Sequence, residues 1–484
     1  MKFRFTKMRL SLSLAGILIT AFILLLRATS SVPVTVHTKA LTAAAPNSYD
    51  VVVIGSEIQG VLLAREARAL GLNVLILDPR SKPGGELVQA QMFFLDDVND
   101  NKHKSLVQGE IKRLFKKYKA GKIRKTADFQ AYYDKISTGI PIKSGIVIDS
   151  LNTLSGTNNK TLKSMTFHTK DEASLTIQSK YWVENTDFSA LTGRLGCRRI
   201  PGMESLYKGK QPHYMAATYM LKFRKVDWKK LHKTVLKHYP LTNVRKKYGP
   251  NTYVDKRFAT GFSYITKNYT SLDKQLSLRG LNAFHQKNGQ VIINGLLLYD
   301  VNPSDPKSVH SAITKARIEA PGILAFLRKN MPGFARAELN GFPEYLYIRD
   351  YNRYETEYVL DYPDVMGSRM FWDNVSIGGY AIDLQGTSVM PKGIDFGKPD
   401  RYGLPLRSFE LKSYTNVLVV GKNVGAAIKA YGSARIMPTT ALAAQTIGII
   451  LGHEKNKLLM ELNENDFKRI HNYLKKDYKI ILQQ

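Results

Sequence analysis

Gly55, Gly60 and Asp78 are the residues whose types and spacing point most directly to a reaction site. Two glycines bracketing a sharp turn between an apolar strand and a helix leave backbone N–H groups and the positive end of the helix dipole aimed at one spot, which suits a pyrophosphate. A carboxylate about 20 residues further on, at the end of the next strand, can accept hydrogen bonds from a ribose hydroxyl. Asp78 holds that position. Ser56 and Glu57 lie in the turn, and Glu57 takes the middle place of the G-x-G-x-x-G pattern, where glycine normally lets the backbone approach phosphate. A carboxylate there opposes an anion unless its side chain points away. Taken alone, the stretch is equally open to a plainer reading, a strand–helix–strand unit of any doubly wound fold.

The elements that would position these residues are legible around them. Asp50 to Ile54 is an apolar, β-branched run suited to a strand buried on both faces. Val61 to Leu70 carries apolar residues at helical spacing and stops at Gly71, and Val74 to Leu77 reads as the second strand. Pro79 to Gly85 is rich in turn formers, and Gly84 and Gly85 can present N–H groups to an anion or a ring. Ser105 to Tyr118 has the pattern of an amphipathic helix. Between Gly145 and Val183 the stretches IVIDSL, SMTFHT and SLTIQSKYWVEN predict a three-strand meander. Tyr181 to Asp187 predicts a further parallel strand, with Thr186 at the carboxyl end, where ligands bind in such sheets.

Texture changes after about residue 200. Tyr214 to Arg224 and Gln290 to Leu298 read as strands, Val226 to His238 and Pro306 to Met331 as helices, the second broken near Pro321. Tyr347 to Ser388 is dense in paired charges and aromatics, including Arg349, Arg353, Tyr380 and Asp383. Near the end, Asn416 to Gly421 predicts a buried strand, and Gly432 to Pro438 leads into a small-residue helix, Thr439 to Leu451, with Pro438 just inside its start. The organisation expected is an anchor and tether over 1–45, a nucleotide-binding part over 46–200, a substrate or cap domain over 201–345, a closing part over 346–455 and a helical tail over 456–484.

Composition bounds the function. A hydrophobic content of 44% over 484 residues is that of a folded protein, so disorder is not indicated. A net charge of +31 points to a polyanionic neighbour, such as a wall polymer or anionic lipid. Cys197 is the single cysteine, which excludes an intrachain disulfide and a CxxC redox pair. The ten histidines show no metal-ligand spacing, so no metal is expected, and neither a P-loop nor a G-x-S-x-G nucleophile elbow occurs. Lys2, Arg4, Lys7 and Arg9 precede an uninterrupted run from Leu10 to Leu26, which reads as a signal anchor with the rest of the chain outside the cytoplasm. Secretion after cleavage near Ala43 to Ala45 is the alternative, and nucleic acid is not an expected partner.

The motifs together resemble the FAD-dependent oxidoreductases, glutathione-reductase-like flavoproteins of the bacterial FAD-oxidoreductase domain group. VVVIGSEIQG with LILD, the Pro83-Gly84-Gly85 turn, RDYNRYETEYVL, GGYAIDLQ, NVLVVGKNV and GSARIMPTTALAAQTIG carry the likeness. Departures fall at Glu57, at Asp187 in place of a glycine, at Asn352 in place of an arginine, at Ala381 in place of a proline and at Gln385 in place of a histidine. The resemblance implies an α/β fold, an FAD/NAD(P)-binding Rossmann-like doubly wound sheet with a β-meander and an inserted α+β substrate domain. It implies FAD as cofactor, with the AMP half on Gly55 to Gly60 and Asp78. Gly84, Gly85, Thr186 and Gly421, with Gly432, Ser433, Arg435, Met437 and Pro438, would approach the rest. Arg349 and Arg353 would orient an anionic substrate group or stabilise reduced flavin, and Asp383 and Tyr380 would move protons. The expected function is a membrane-tethered extracytoplasmic oxidoreductase acting on a small molecule. The alternative is a degenerate flavoprotein fold acting as a basic envelope-binding or scaffold protein.

Overall fold

The computed structural model describes residues 47–157 and 159–483. The anchor and tether expected over 1–45 lie outside them.

The first strand, β1 (Ser48–Ile54), is followed by α1 (Ile58–Ala69) and β2 (Val74–Asp78), so the strand–helix–strand unit forms as read. The helix begins at Ile58, three residues earlier than the apolar spacing suggests, because Glu57 already has the extended backbone of a cap and Gly60 is accepted within the first turn. Next come α2 (Gly85–Val88), α3 (Ile111–Lys119) and α4 (Thr126–Ser137). The helix expected from Ser105 starts at Ile111 instead. Its first residues are spent on a bridge between Asn99 and Ser105, on the Leu106 N–H donated to the Val98 carbonyl at 2.9 Å, and on a turn at Gly109.

After β3 (Ile142–Ser144) the meander forms from β4 (Ile146–Ser155), β5 (Lys160–Thr169) and β6 (Glu172–Glu184). The separate parallel strand expected at Tyr181 to Asp187 is not separate. β6 pairs antiparallel with β5 along its first half and parallel with β1 along its second, so one strand of 13 residues belongs to both arrangements. The two overlapping patterns, alternating then continuously apolar, are the two halves of this strand.

A second sheet is built from β7 (Ala217–Arg224), β8 (Tyr253–Val254), β9 (Phe258–Gly261), β10 (Leu276–Lys287), β11 (Gln290–Leu298) and β12 (Glu338–Leu339), in the order β12-β7-β11-β10-β9-β8, antiparallel throughout. On one face it carries α5 (Trp228–Leu236) and α6 (Pro306–Asn330). The expected break at Pro321 does not occur. Pro321 lies on the exposed side of a continuous α6, where the carbonyl it leaves unbonded can meet water. Side chains alternate across this sheet as a period of two requires: Tyr219, Leu221 and Phe223 enter the core under α5 and α6, while Met220, Phe284 and Ile292 face the first sheet's core. An aromatic cluster joins the two layers, with Phe93 stacked on Phe129 at 4.0 Å and Tyr118 at 5.3 Å from Phe284.

The chain then returns to the first sheet. β13 (Val417–Val419) pairs parallel with β6, completing a parallel sheet in the order β3-β2-β1-β6-β13. α7 (Ile428–Ala434), α8 (Met437–His453) and α9 (Glu464–Tyr478) follow, and α8 is buried from Pro438 to Gly452, packed on α1. Among the described residues no single helix is long and apolar enough to cross a membrane; α7 and α8 reach that length only as a pair bent by 83°. The described residues make up one compact unit.

Candidate dinucleotide site

The turn after β1 is as tight as its glycines require. A Cβ on Gly60 would fall 2.3 Å from Asn185 Nδ2, and that amide donates to the Gly55 carbonyl at 3.2 Å and the Glu57 carbonyl at 3.1 Å. Gly55, at φ +100°, would bring a Cβ to 2.8 Å from the Asn185 and Thr186 backbone. These two glycines therefore serve the tight turn and the close helix–strand packing that a dinucleotide turn needs. Asn185, which sequence reasoning passed over, is the residue that ties the turn to β6.

Asp78 ends β2 as expected but is spoken for. Its Oδ2 accepts the Ser56 N–H at 2.9 Å and the Ser56 hydroxyl, and its Oδ1 accepts the Arg80 N–H at 2.8 Å. The Ser56 hydroxyl in turn accepts the Gly84 N–H at 3.0 Å, and Tyr133 donates to the Ser56 carbonyl at 2.9 Å.

The Glu57 side chain reaches across to the Gly85–Glu86 backbone and to Arg80. Its Oε2 accepts the Glu86 N–H at 2.7 Å and its Oε1 accepts Arg80 Nη1 at 2.8 Å. Arg80 lies 3.8 Å from Asp187 Oδ1, and the Lys422 ammonium, 3.9 Å from Asp187 Oδ2, donates to Glu86 at 2.8 Å and to the Ile348 carbonyl at 2.7 Å. With Asp78, all six of these charged groups are buried. Burial pushes the Glu57 carboxyl up to about 7, against the pull of Arg80, and raises Asp187 as well. Neither Asp187 oxygen has a hydrogen-bond partner.

Thr186 donates its N–H and hydroxyl to Glu184 at 2.8 Å each, and Glu184 also accepts the Leu191 and Thr192 N–H groups, so this polar strand end organises its own loop. Gly421, at φ +67°, faces Asn185 Oδ1, which lacks a partner. Gly432 and Ser433 are taken up in packing. Gly432 lies against Ile382 and Leu384, and Ser433 accepts the Tyr402 hydroxyl at 2.8 Å while donating to the Tyr380 carbonyl at 2.6 Å. Met437 and Arg435 line a cavity of only about 20 Å³ with Glu86, Met92, Asp96 and Tyr347. Pro438 lies in the first turn of α8.

Three of the four proposed catalytic side chains share one polar cluster between the sheets. Arg349 donates to Ala216 O, to Thr218 Oγ1 and to Asn294 Oδ1, the last at 3.3 Å. Asn294 Oδ1 also accepts Arg279, which donates to Gln385 at 3.0 Å, and Gln385 reaches Asp383 at 3.4 Å. Burial lowers the Arg349 guanidinium to about 9. Tyr380 donates to Asp96 at 3.1 Å, and burial raises that carboxyl to about 6. Arg353 stands apart, with its guanidinium 3.6 Å from the Tyr431 ring centroid, one nitrogen on the Ala426 carbonyl, and Asp350 at 3.8 Å. It joins the Arg353 segment to α7 and is not aimed at the cluster. Gln385, where a histidine was expected, is the link between Arg279 and Asp383.

The model of the FAD dependent oxidoreductase family matches residues 50–470. The chain belongs to that family. FAD is the cofactor of its members, and flavin-based redox chemistry is the function that membership carries. No curated protein matches the chain. Among solved structures, it is similar to a geranylgeranyl bacteriochlorophyll reductase-like protein from Thermoplasma acidophilum, at 11% identity over 90% of this chain and 85% of that one, with a TM-score of 0.37. It is also similar to p-nitrophenol 4-monooxygenase from Pseudomonas putida, at 10% identity over 89% and 87%, with a TM-score of 0.38. The family assignment rests on the family match alone.

What already fills the surroundings of these residues decides how they fit FAD. Beyond Asp78, beside Pro79 and Arg80, a cavity of about 780 Å³ lined by Ile146, Phe188, Ala190 and Tyr345 lies on the adenosine side. At the turn, the Glu57 carboxylate takes the Glu86 N–H and Arg80 Nη1, donors that an anion would otherwise use. Toward Met437 the cavity of about 20 Å³ holds no more than about one water molecule. These side chains leave room for an adenosine-sized group beside Arg80 and little free space at Glu57 and Met437.

Proposed function

We propose that the protein is a membrane-tethered, extracytoplasmic flavin-dependent oxidoreductase whose small-molecule substrate is held between the two sheets. Family membership carries this reading. Arg349, Arg279 and Arg435 set three guanidinium groups around one region, an arrangement that binds a carboxylate or another anion. Asp96 and Tyr380, joined by a hydrogen bond at 3.1 Å, form the one carboxyl–phenol pair there that can hold or pass a proton. The tether belongs to the N-terminal apolar run and its basic flank, and the +31 charge favours an anionic wall polymer or lipid as neighbour.

A second reading is favoured by the filled turn: a flavoprotein fold that binds at the envelope without turnover. The two readings part on one experiment. The full chain is purified, incubated with FAD and separated from free cofactor. Oxidised-flavin absorption that stays with the protein, and bleaches under an anaerobic reductant, supports the oxidoreductase. A colourless protein that takes up no FAD supports the binding protein.

A further inference from the structure

We propose that the Glu57 side chain is an internal occupant of the diphosphate seat and sets how tightly a dinucleotide binds there. The proposal rests on reading the Gly55–Gly60 turn as that seat. A diphosphate in such a place is held by backbone N–H groups and balanced by cations. Both kinds of partner are present, and carboxylates of this chain hold them: Glu57 takes the Glu86 N–H at 2.7 Å and Arg80 at 2.8 Å, while Glu86 takes Lys422 at 2.8 Å.

The surroundings are shaped to the occupant. A Cβ on Gly85 would fall 1.9 Å from Glu57 Oε2, so the backbone at this point, at φ +47°, leaves its side-chain space to the carboxylate. The charge balance gives the same answer. Glu57, Asp78, Glu86 and Asp187 face Arg80 and Lys422, four acids against two cations among buried side chains. Burial already disfavours the charged form of Glu57 and Asp187, so the added negative charge of a diphosphate would be costly beside them. Departure of Glu57 frees one N–H and one nitrogen of a guanidinium that stays paired with Asp78, and removes an acid, changes that all favour a phosphate. Beside the turn, both oxygens of Asp187 and Oδ1 of Asn185 are buried without a hydrogen-bond donor, and the hydroxyl groups of a sugar chain, not a phosphate, are the ligand groups that could supply one.

The pair Glu57→Gly and Glu57→Gln tests this with ADP, which carries the diphosphate and adenosine but no ring and so does not depend on the narrow cavity at Met437. Calorimetric titration uses the full chain, with thermal melts to show that each variant is folded. Because apparent affinity scales with the fraction of chains whose seat is free, Glu57→Gly should bind ADP on the order of tenfold or more tighter than the wild type, with Glu57→Gln between them. Adenosine, lacking phosphates, should not distinguish the three. Equal ADP affinities in wild type and Glu57→Gly would overturn the occupant and leave the seat standing. A parallel gain for adenosine would place the effect outside the diphosphate and overturn the proposal. Absence of ADP binding in all three would overturn the seat and the occupant together.

Discussion

Removing the Lys422 ammonium would leave the Glu86 carboxylate without the cation 2.8 Å away and Asp187 with Arg80 alone. Breaking a buried ion pair costs more than the pair contributes, because the surviving charge stays out of water. Lys422→Met, which keeps the stem's volume, should therefore destabilise the protein by about 3–5 kcal/mol, read as a lower denaturant midpoint. At this scale the sequence was legible only in part. Glu57 announced itself by occupying a glycine's place, and Asp78 by its position at a strand end. Arg80 and Lys422 gave no such signal, since a charged residue after a strand is usually solvated; what buries them are carboxylates brought from far along the chain. Asp187, noted only as a departure from a family pattern, turns out to lie between both cations.

The small residues of α8 allow a close approach, and α1 is the element that makes it. The neighbour is backbone, not ligand: a Cβ on Gly448 would fall 2.4 Å from the Leu63 carbonyl oxygen and 2.9 Å from its Cα. Neither helix can yield at a contact between main chains, so Gly448→Ala should cost about 1–3 kcal/mol and lower the melting temperature. Element type was readable wherever a single period ran unbroken, as in β1, α1 and the meander. It failed where two structures shared one stretch. The Ser105 pattern ran a bridge and a turn into α3, and the two halves of β6, paired antiparallel and then parallel, read as two strands. Pro321 misled for another reason: periodicity does not say which side of α6 meets water, and on the exposed side a proline is tolerated.

For the molecule as a whole, the charge of +31 is the property most exposed to test. If anionic lipid is the neighbour, binding of the full chain to anionic vesicles should fall steeply between low and high salt, because exposed charges are screened beyond roughly 8–10 Å at physiological ionic strength. Cosedimentation at several salt concentrations measures it, and salt-independent binding would assign the interaction to apolar contact instead. The fold class was legible at this scale through the family resemblance, while the strand–helix–strand unit and the meander were legible from long periodic stretches. The closure of the diphosphate seat was not, since it depends on side-chain packing among five separate segments.

The strand β6 has a consequence for the order in which the protein is made. Its second half is flanked by β1 on one side and by β13 on the other. β1 leaves the ribosome at the start of the folded region and β13 close to its end. The central sheet therefore has an open edge throughout most of synthesis, and folding is dominated by a contact of high sequence separation, which is slow and leaves a strand edge free to pair wrongly. If the chain is exported as proposed, it would reach its final form only on the far side of the membrane, and the seat at Gly55 would close there, after the segment bearing Lys422 had arrived.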